Sequence, residues 1–201
     1  MSGVTVDPYA LTNSQNSFNL QSDGFYAGVF LDSPPGRYYL EGGQVGNGQT
    51  TPLYGGLPIT ALVPTPGPGG SSSSLGSTIN LATAEGNVDG FTVFNQGSAG
   101  VITGSSNVPL YPANASVNFA RIGCGLWLAL PVKADDVDTL AGAGSNTAIY
   151  WDYTNNWVAA AGTGALGLQI ITLNTNSMIV DYDGTAKTAN WTAGPVIVVR
   201  L

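Results

Sequence analysis

Glycine and proline interrupt almost every window of ten residues in this chain, whose 201 residues include 28 Gly and 12 Pro. Because glycine destabilises the interior of a helix and proline breaks it, long helices are excluded. No long stretch repeats apolar residues with the 3.6-residue period of a helix. The best helical segment is the run at 134–140, which is predicted to form one or two turns starting near Asp135 or Asp136.

Short runs of β-branched and aromatic residues lie between these glycines and prolines and predict strands. Residues 149–153 and 157–161 are predicted to form a hairpin, because asparagine in the turn 154–156 tolerates a left-handed backbone. Further strands are predicted at 25–31, 37–45, 53–63, 77–81, 91–94 and 117–120, with the strongest core strand at 123–130.

The C-terminal region contains three more predicted strands. Residues 167–173 and 177–182 are separated by a predicted turn at 174–176. The unbroken apolar run at 195–201 predicts a strand that is buried on both faces. Strands at such short spacing predict an all-β fold, either a β-sandwich or a jelly-roll or barrel-like domain.

One break in composition divides the chain, the Pro/Gly/Ser-rich run PTPGPGGSSSSLG at 64–76. It is either a linker between two lobes or a long loop or hinge, and the loop or hinge is favoured because the preceding residues would make a marginal independent domain. The predicted organisation is an extended N-terminal arm (1–25), an N-terminal β segment (26–63), the loop or hinge, and a main β domain (77–201).

Charge is scarce, with 5 Lys and Arg, 12 Asp and Glu, no His and a net charge of −7. Five scattered cations give no electrostatic footprint for nucleic acid or an anionic membrane. Without histidine there is no Ser-His-Asp relay and no imidazole metal site. The single Cys124 fits a small buried residue and a reducing cytoplasm. We therefore expect a non-enzymatic protein with no cofactor and no metal.

Three polar motifs each allow a chemical interpretation beside a structural one. The acidic run Asp135, Asp136 and Asp138 suggests calcium, but a solvated helix start is favoured. The pair Asp181 and Asp183 suggests a glycosidase, for which Asp152 is a further candidate, but Asp-Gly is also a hairpin turn and the turn is favoured. The glycine-rich residues 42–48 lack the Lys and Ser/Thr of a phosphate loop, so a turn or bulge is favoured.

Aromatic and apolar residues supply the candidate partner contacts. Tyr39 and Trp151 belong to strands on which aromatics alternate between faces, and they suit either a sugar or protein interface or cross-strand core packing. The arm has little apolar material from which to fold by itself, so it is expected to order on a neighbouring molecule. Its candidate contact residues are Val4, Val6, Tyr9, Leu11, Phe18 and Leu20.

Three C-terminal segments resemble the structural cement, or capsid decoration, proteins of tailed bacteriophages. Residues 117–126 (VNFARIGCGL) are similar to that family's apolar segment ending in a Gly-containing strand. Residues 148–157 (AIYWDYTNNW) are similar to its aromatic hairpin, and residues 189–201 (ANWTAGPVIVVRL) to its closing Val-rich strand.

This resemblance implies a β-rich homo-oligomer, with a trimer favoured over a dimer, made in the host bacterial cytoplasm. It implies binding to the outer capsid surface of the virion, where the protein would clamp adjacent major capsid proteins without catalysis. The alternative is a carbohydrate-binding module or fibre-tip domain of a virion surface protein. A glycoside hydrolase is the third and least favoured function.

Overall fold

The computed structural model describes residues 26–29, 40–63, 76–84, 86–94 and 106–201, and it is all-β, as predicted. The predicted arm at 1–25 and most of the predicted loop at 64–76 lie outside the described residues. Within the described ranges, no helix is long and apolar enough to cross a membrane. The strands are β1 (Leu40–Val45), β2 (Pro58–Leu62), β3 (Ser77–Leu81), β4 (Gly90–Thr92), β5 (Ser116–Arg121), β6 (Trp127–Pro131), β7 (Tyr150–Asp152), β8 (Trp157–Ala159), β9 (Gln169–Asp183) and β10 (Thr188–Arg200).

The first five strands close into a barrel in the order β1-β3-β2-β4-β5, with β1 pairing back to β5. All pairs are antiparallel except β1 with β3, which is parallel. Since β1 and β2 precede the Pro/Gly/Ser run and β3 to β5 follow it, the two parts of the chain share one barrel. Gly42 and Gly43 lie within β1, and a turn follows in which Gln49 N donates to Gly46 O at 3.0 Å.

The other strands form a three-stranded antiparallel sheet, β6-β10-β9, and the small hairpin β7-β8. The predicted hairpin is confirmed, and Asn156 has the expected positive φ of 58°. The helical prediction is also confirmed, as a 3-10 turn (Ala134–Asp136) followed by α1 (Val137–Leu140). The core strand predicted at 123–130 starts later, at Trp127, because Gly123 and Gly125 adopt positive φ.

The predicted turn at 174–176 is wrong, because β9 runs through it as one strand of 15 residues. A local turn-like contact does exist, since Asn174 Oδ1 accepts from Asn176 N at 2.8 Å. However, β10 pairs with β9 on both sides of this point and absorbs the irregularity as a register shift between Gly194 and Val196. The polar residues therefore form a bulge. The chain reverses later, after Asp183, where the Asp-Gly turn was predicted.

Two large apolar cores result, which we call the barrel core and the sheet core, and a small cluster of Ala27, Ala129 and Val196 accompanies them. The barrel core contains Val29, Val45, Leu53, Tyr54, Leu57, Ile59, Ile79, Phe94, Val108, Leu110, Tyr111, Val117, Phe119 and Ala189. The sheet core contains Phe91, Val93, Ala120, Leu126, Leu128, Leu130, Val132, Leu140, Ile149, Trp151, Val158, Leu166, Leu168, Ile170, Ile197, Val199 and Leu201.

One wall of the barrel belongs to both cores. Successive strand residues point to opposite faces, so Val117 and Phe119 of β5 enter the barrel core while Ala120 enters the sheet core. On β4, Phe91 pairs with Ala120 and faces the same way, and Thr92 points inward. The β4–β5 wall therefore separates the two cores and packs against each.

The β9–β10 hairpin ties the two cores together along its length. Its base contributes Ile170 and Ile197 to the sheet core, whereas Tyr182 and Trp191, farther along, pack against the barrel core. Val196 to Val199 are all buried, as predicted for the terminal strand.

A second tie is the segment 26–29. Only this part of the strand predicted at 25–31 is described, and it forms a bridge and a turn. Gly28 N donates to Ala129 O of the sheet at 2.7 Å, and Phe94 N of the barrel donates to Gly28 O at 2.9 Å. Gly28 has φ +83°, and a Cβ there would collide with the Gly55 backbone, so the two chain segments cross in direct contact.

Candidate functional site

A groove of about 420 Å³ opens at one end of the barrel, and we call it the Lys187 groove. It is lined by Gln49, Thr50, Pro52, Leu110, Pro112, Ala113 and Lys187. Two loops supply most of the lining, and paired hydrogen bonds between Leu53 and Tyr111 hold them together at 2.8 and 3.0 Å. Lys187 arrives from the β9–β10 turn, so the groove lies where the hairpin reaches the barrel.

The lining of this groove is mostly apolar. Lys187 is its one charged side chain, and no carboxylate or thiol belongs to it. Both ends of the Gln49 side-chain amide form hydrogen bonds with the backbone, because Oε1 accepts from Leu81 N at 3.2 Å and Nε2 donates to Thr51 O at 3.0 Å. An apolar concavity with one cation fits an apolar group beside a negative charge.

Asp183, half of the candidate carboxylate pair, shapes the turn after β9. Its Oδ1 accepts from the backbone N–H groups of Thr185 and Ala186 at 2.7 and 3.0 Å. These hydrogen bonds, the one from Ala186 first, lower the pKa of Asp183 below its ordinary value. A general acid needs the opposite shift, so this carboxylate is suited to a turn, as the sequence favoured.

Asp152 has the same role in the β7–β8 turn. Its Oδ1 accepts from Thr154 N at 2.8 Å, and its Oδ2 accepts from Asn155 Nδ2 at 2.7 Å. Desolvation pushes the pKa of Asp152 upward, but the hydrogen bonds from Asn155 and Thr154 outweigh it and leave the pKa lowered. This carboxylate too is held in its charged form.

The acidic residues at the helix start form a hydrogen bond and ion pairs with neighbouring residues. Asp136 Oδ2 accepts from Ala160 N at 2.8 Å, and Lys133 Nζ lies 3.7 Å from Asp135 and 4.0 Å from Asp136. In the part of the chain that the structure describes, no group of three or more acidic or Cys side chains is placed to hold a metal ion.

Cys124 lies at the margin of the sheet core and is half-buried. Burial raises the pKa of its thiol, which disfavours the thiolate needed by a nucleophile. The sequence favoured a small buried residue, and the structure places Cys124 against the sheet core but only partly buried.

The expectation that Trp151 is a partner-contact residue is corrected by its burial. Its side chain is only 4% exposed, and its ring packs edge-on against Phe91 with 5.6 Å between centroids. The alternation of β7 turns this tryptophan inward to the shared wall, so it presents no surface to a sugar or a protein. Cross-strand core packing is the alternative that the structure supports for this residue.

Trp127, which sequence reasoning did not single out, is the exposed tryptophan. It is 42% exposed and lies opposite Arg200, which is also exposed, at the end of β6 and β10. Trp127 begins an apolar run that predicts burial, and only its place at the end of an outer strand exposes it. We call these two residues the Trp127–Arg200 patch.

The remaining predicted contact residues lie outside the described residues: Val4, Val6, Tyr9, Leu11, Phe18, Leu20 and Tyr39.

No family model, curated protein or solved structure matches the chain. The described residues form two candidate surfaces on the β framework, the Lys187 groove and the Trp127–Arg200 patch.

Proposed function

We propose that this chain is a non-enzymatic capsid decoration protein, which binds the outer surface of an icosahedral phage head and clamps adjacent major capsid proteins. One observation supports the proposal: each of the three segments that resemble the cement family contributes residues to the sheet core. Segment 117–126 contributes Ala120 and Leu126 to the sheet core, 148–157 contributes Trp151, and 189–201 contributes Ile197. Segments far apart in sequence thus form one structural unit.

The architecture suits a protein that bears load between neighbouring subunits. A clamp must keep its contact surfaces at a fixed separation, and two cores that share a wall resist internal movement because protein interiors are close-packed. The Lys187 groove is built on the barrel, and the Trp127–Arg200 patch is built on the sheet. We propose these two surfaces, together with residues 1–20, as the contacts to the capsid.

The residues of these surfaces have the character of interface anchors. Tryptophan and arginine are enriched among the residues that dominate binding energy. The net charge of −7 also disfavours binding to nucleic acid before assembly, which a capsid protein must avoid.

The proposal is tested by mixing the purified chain with expanded heads that lack decoration. We expect saturable co-sedimentation at a fixed ratio to the major capsid protein, and heads that withstand a higher temperature. Absence of co-sedimentation would overturn the proposal. Native mass measurement of the free protein tests the proposed homo-oligomer, for which we expect a trimer.

Two matched variants locate the contacts. Trp127→Ala and Lys187→Glu change side chains that reach the surface, so each is expected to weaken binding to the heads while circular dichroism shows that the free variant is folded. Deleting residues 1–20 is expected to weaken binding in the same way. Full affinity in the deletion variant would refute a role for the arm.

Glycan binding is the second candidate function, and the exposure of Trp127 beside Arg200 favours it. An exposed indole face can stack on a sugar ring, whereas the buried Trp151 cannot. On a glycan array, specific binding that Trp127→Ala abolishes would support this function over the capsid proposal, provided that the protein also fails to bind heads.

A further inference from the structure

Asn47 and Gly48 form the one Asn-Gly pair in the sequence, and both are exposed. They occupy the middle of the turn that follows β1, which the hydrogen bond from Gln49 N to Gly46 O closes at 3.0 Å. We infer that Asn47 is a site of spontaneous covalent modification, at which the side-chain amide is lost and the residue becomes aspartate and isoaspartate.

The chemistry needs only the two residues and water. The backbone nitrogen of Gly48 attacks Cγ of Asn47, so that a new C–N bond forms as the Cγ–Nδ2 bond breaks, and the proton from Gly48 N passes to Nδ2, which leaves as ammonia. The resulting five-membered imide is then opened by water at either carbonyl, which gives aspartate or isoaspartate. No electron is transferred, so no oxidant or reductant is required.

Access to the attacking nitrogen distinguishes this asparagine from the others. A side chain on the following residue would obstruct the approach to Cγ, and glycine has none. Among the described residues, none has an atom within 4 Å of a Cβ built at position 48, so the turn is open on this side. In the described part of the chain, no backbone carbonyl accepts a hydrogen bond from Gly48 N.

Three of the other exposed asparagines provide internal comparisons. Asn107, Asn155 and Asn176 precede Val, Asn and Ser, whose side chains hinder the attack. Two of them are also held by hydrogen bonds: Asn107 Oδ1 accepts from Trp191 N at 2.8 Å, and Asn155 Nδ2 donates to Asp152.

The modification would change the edge of the Lys187 groove. It adds a negative charge to the turn, and isoaspartate also adds a backbone carbon between β1 and Gln49. Gln49 lines the groove and holds Leu81 N of β3 through its amide oxygen. The modified turn is therefore expected to reposition a groove residue without touching either core.

The test is incubation of the folded protein at 37 °C and mildly alkaline pH, followed by digestion at acid pH and peptide mass analysis. We expect the peptide with Asn47 to lose its amide several-fold faster than those with Asn107, Asn155 or Asn176, and an isoaspartyl methyltransferase to label it. Gly48→Ala is the matched control, since its added methyl meets open space, and we expect several-fold slower loss.

Two results would overturn the inference. One is loss at Asn47 no faster than at the other three asparagines in the folded protein. The other is an unchanged rate in Gly48→Ala, which would show that access through position 48 does not control the reaction. Circular dichroism of the unaltered protein and of Gly48→Ala before incubation confirms that the comparison is between folded chains.

Discussion

The barrel core and the sheet core are similar in composition but are assembled differently along the chain. Most of the sheet core comes from residues 116–201, where the β7–β8 and β9–β10 hairpins join the long-range pair of β6 with β10. The barrel instead joins strands on both sides of the Pro/Gly/Ser run, and its closing pair β1–β5 brings Gln44 to within hydrogen-bond distance of Asn114 O, 70 residues away. Both parts therefore close over a long stretch of chain, but only the barrel depends on strands from both sides of that run.

Because the β4–β5 wall packs against both cores, it determines whether they unfold together or separately. Phe91 and Ala120 face the sheet core, while Thr92 and Phe119, their neighbours in sequence, face the barrel. If the wall couples the cores, damage on either face unfolds both together.

The largest expected effect is at the contact between the wall and the β7–β8 hairpin. Trp151→Ala removes a buried ring from Phe91, and truncating a buried aromatic residue costs about 3–5 kcal/mol. We expect one unfolding transition at lower denaturant, seen alike by tryptophan fluorescence and circular dichroism. Trp127→Ala is the matched control, with a smaller loss of stability because Trp127 is 42% exposed, whereas Trp151 is 4% exposed.

Two separate unfolding transitions in Trp151→Ala would contradict the coupling of the two cores. They would show that the sheet core unfolds alone and that the wall does not couple it to the barrel.

The next largest loss of stability is expected where residues 26–29 cross the barrel. Gly28→Ala forces a side chain into positive φ, which costs about 1–3 kcal/mol, and its methyl also meets the Gly55 backbone. The free energy of unfolding from urea titration measures this loss. A stability equal to that of Gly48→Ala, where the added methyl meets open space, would show that this crossing is not a tie.

A polar contact inside the barrel is expected to matter nearly as much. Thr92 Oγ1 accepts from Leu57 N at 3.0 Å and donates to Tyr54 O, and all three residues are buried. Thr92→Val keeps the shape but leaves these groups without a partner, which costs about 1–3 kcal/mol. Thr92→Ser retains the hydroxyl and should recover part of that loss. Equal stability of the two variants would contradict the assigned hydrogen bonds.

The ion pair on the closing strands is expected to contribute little. Arg121 Nε lies 2.6 Å from Glu41 Oε1, but both side chains are more than 40% exposed. Such pairs contribute about 0.2–1 kcal/mol, and salt weakens them. A double-mutant cycle with Arg121→Gln and Glu41→Gln measures the coupling, and a value well above 1 kcal/mol would show that charge, rather than packing, closes the barrel.

The smallest effect is expected from changes in pH near neutrality. The sequence has no histidine, and stability should be nearly flat between about pH 5 and 8. Asp152 and Asp183 have lowered pKa values in the folded state, so their stabilising effect is present above the ordinary value of 3.8 and lost below it. Thermal unfolding at several pH values checks this, and a transition near pH 6.5 would contradict it.

The sequence predicted the sheet region better than the barrel for a physical reason. The hairpin at 149–161 and the buried strand at 195–201 depend on local turn chemistry and local apolar runs, and both were predicted correctly. The parallel pairing of β1 with β3 depends on contacts across the Pro/Gly/Ser run, which no local pattern reports. Residues 174–176 looked like a turn because the pattern cannot show that β10 pairs on both sides of them.

The contact surfaces were the least predictable feature. Whether a tryptophan is exposed depends on which strand lies beside it. Trp151, a candidate contact residue, is therefore buried, and Trp127, which lies in the predicted core strand at 123–130, is exposed. Lys187 shares a groove with Leu110 only because the β9–β10 hairpin is long enough to reach the barrel. The turn roles of Asp152 and Asp183, in contrast, follow from residues within three positions of each and could be predicted.

A reconstruction of the virion by electron cryomicroscopy tests the proposed function most directly. Fitting this chain into the map is expected to place it on the outer head surface, with the Lys187 groove and the Trp127–Arg200 patch against two neighbouring major capsid proteins. A map in which the chain occupies no position on the head, or touches a single capsid subunit only, would contradict the proposed clamp.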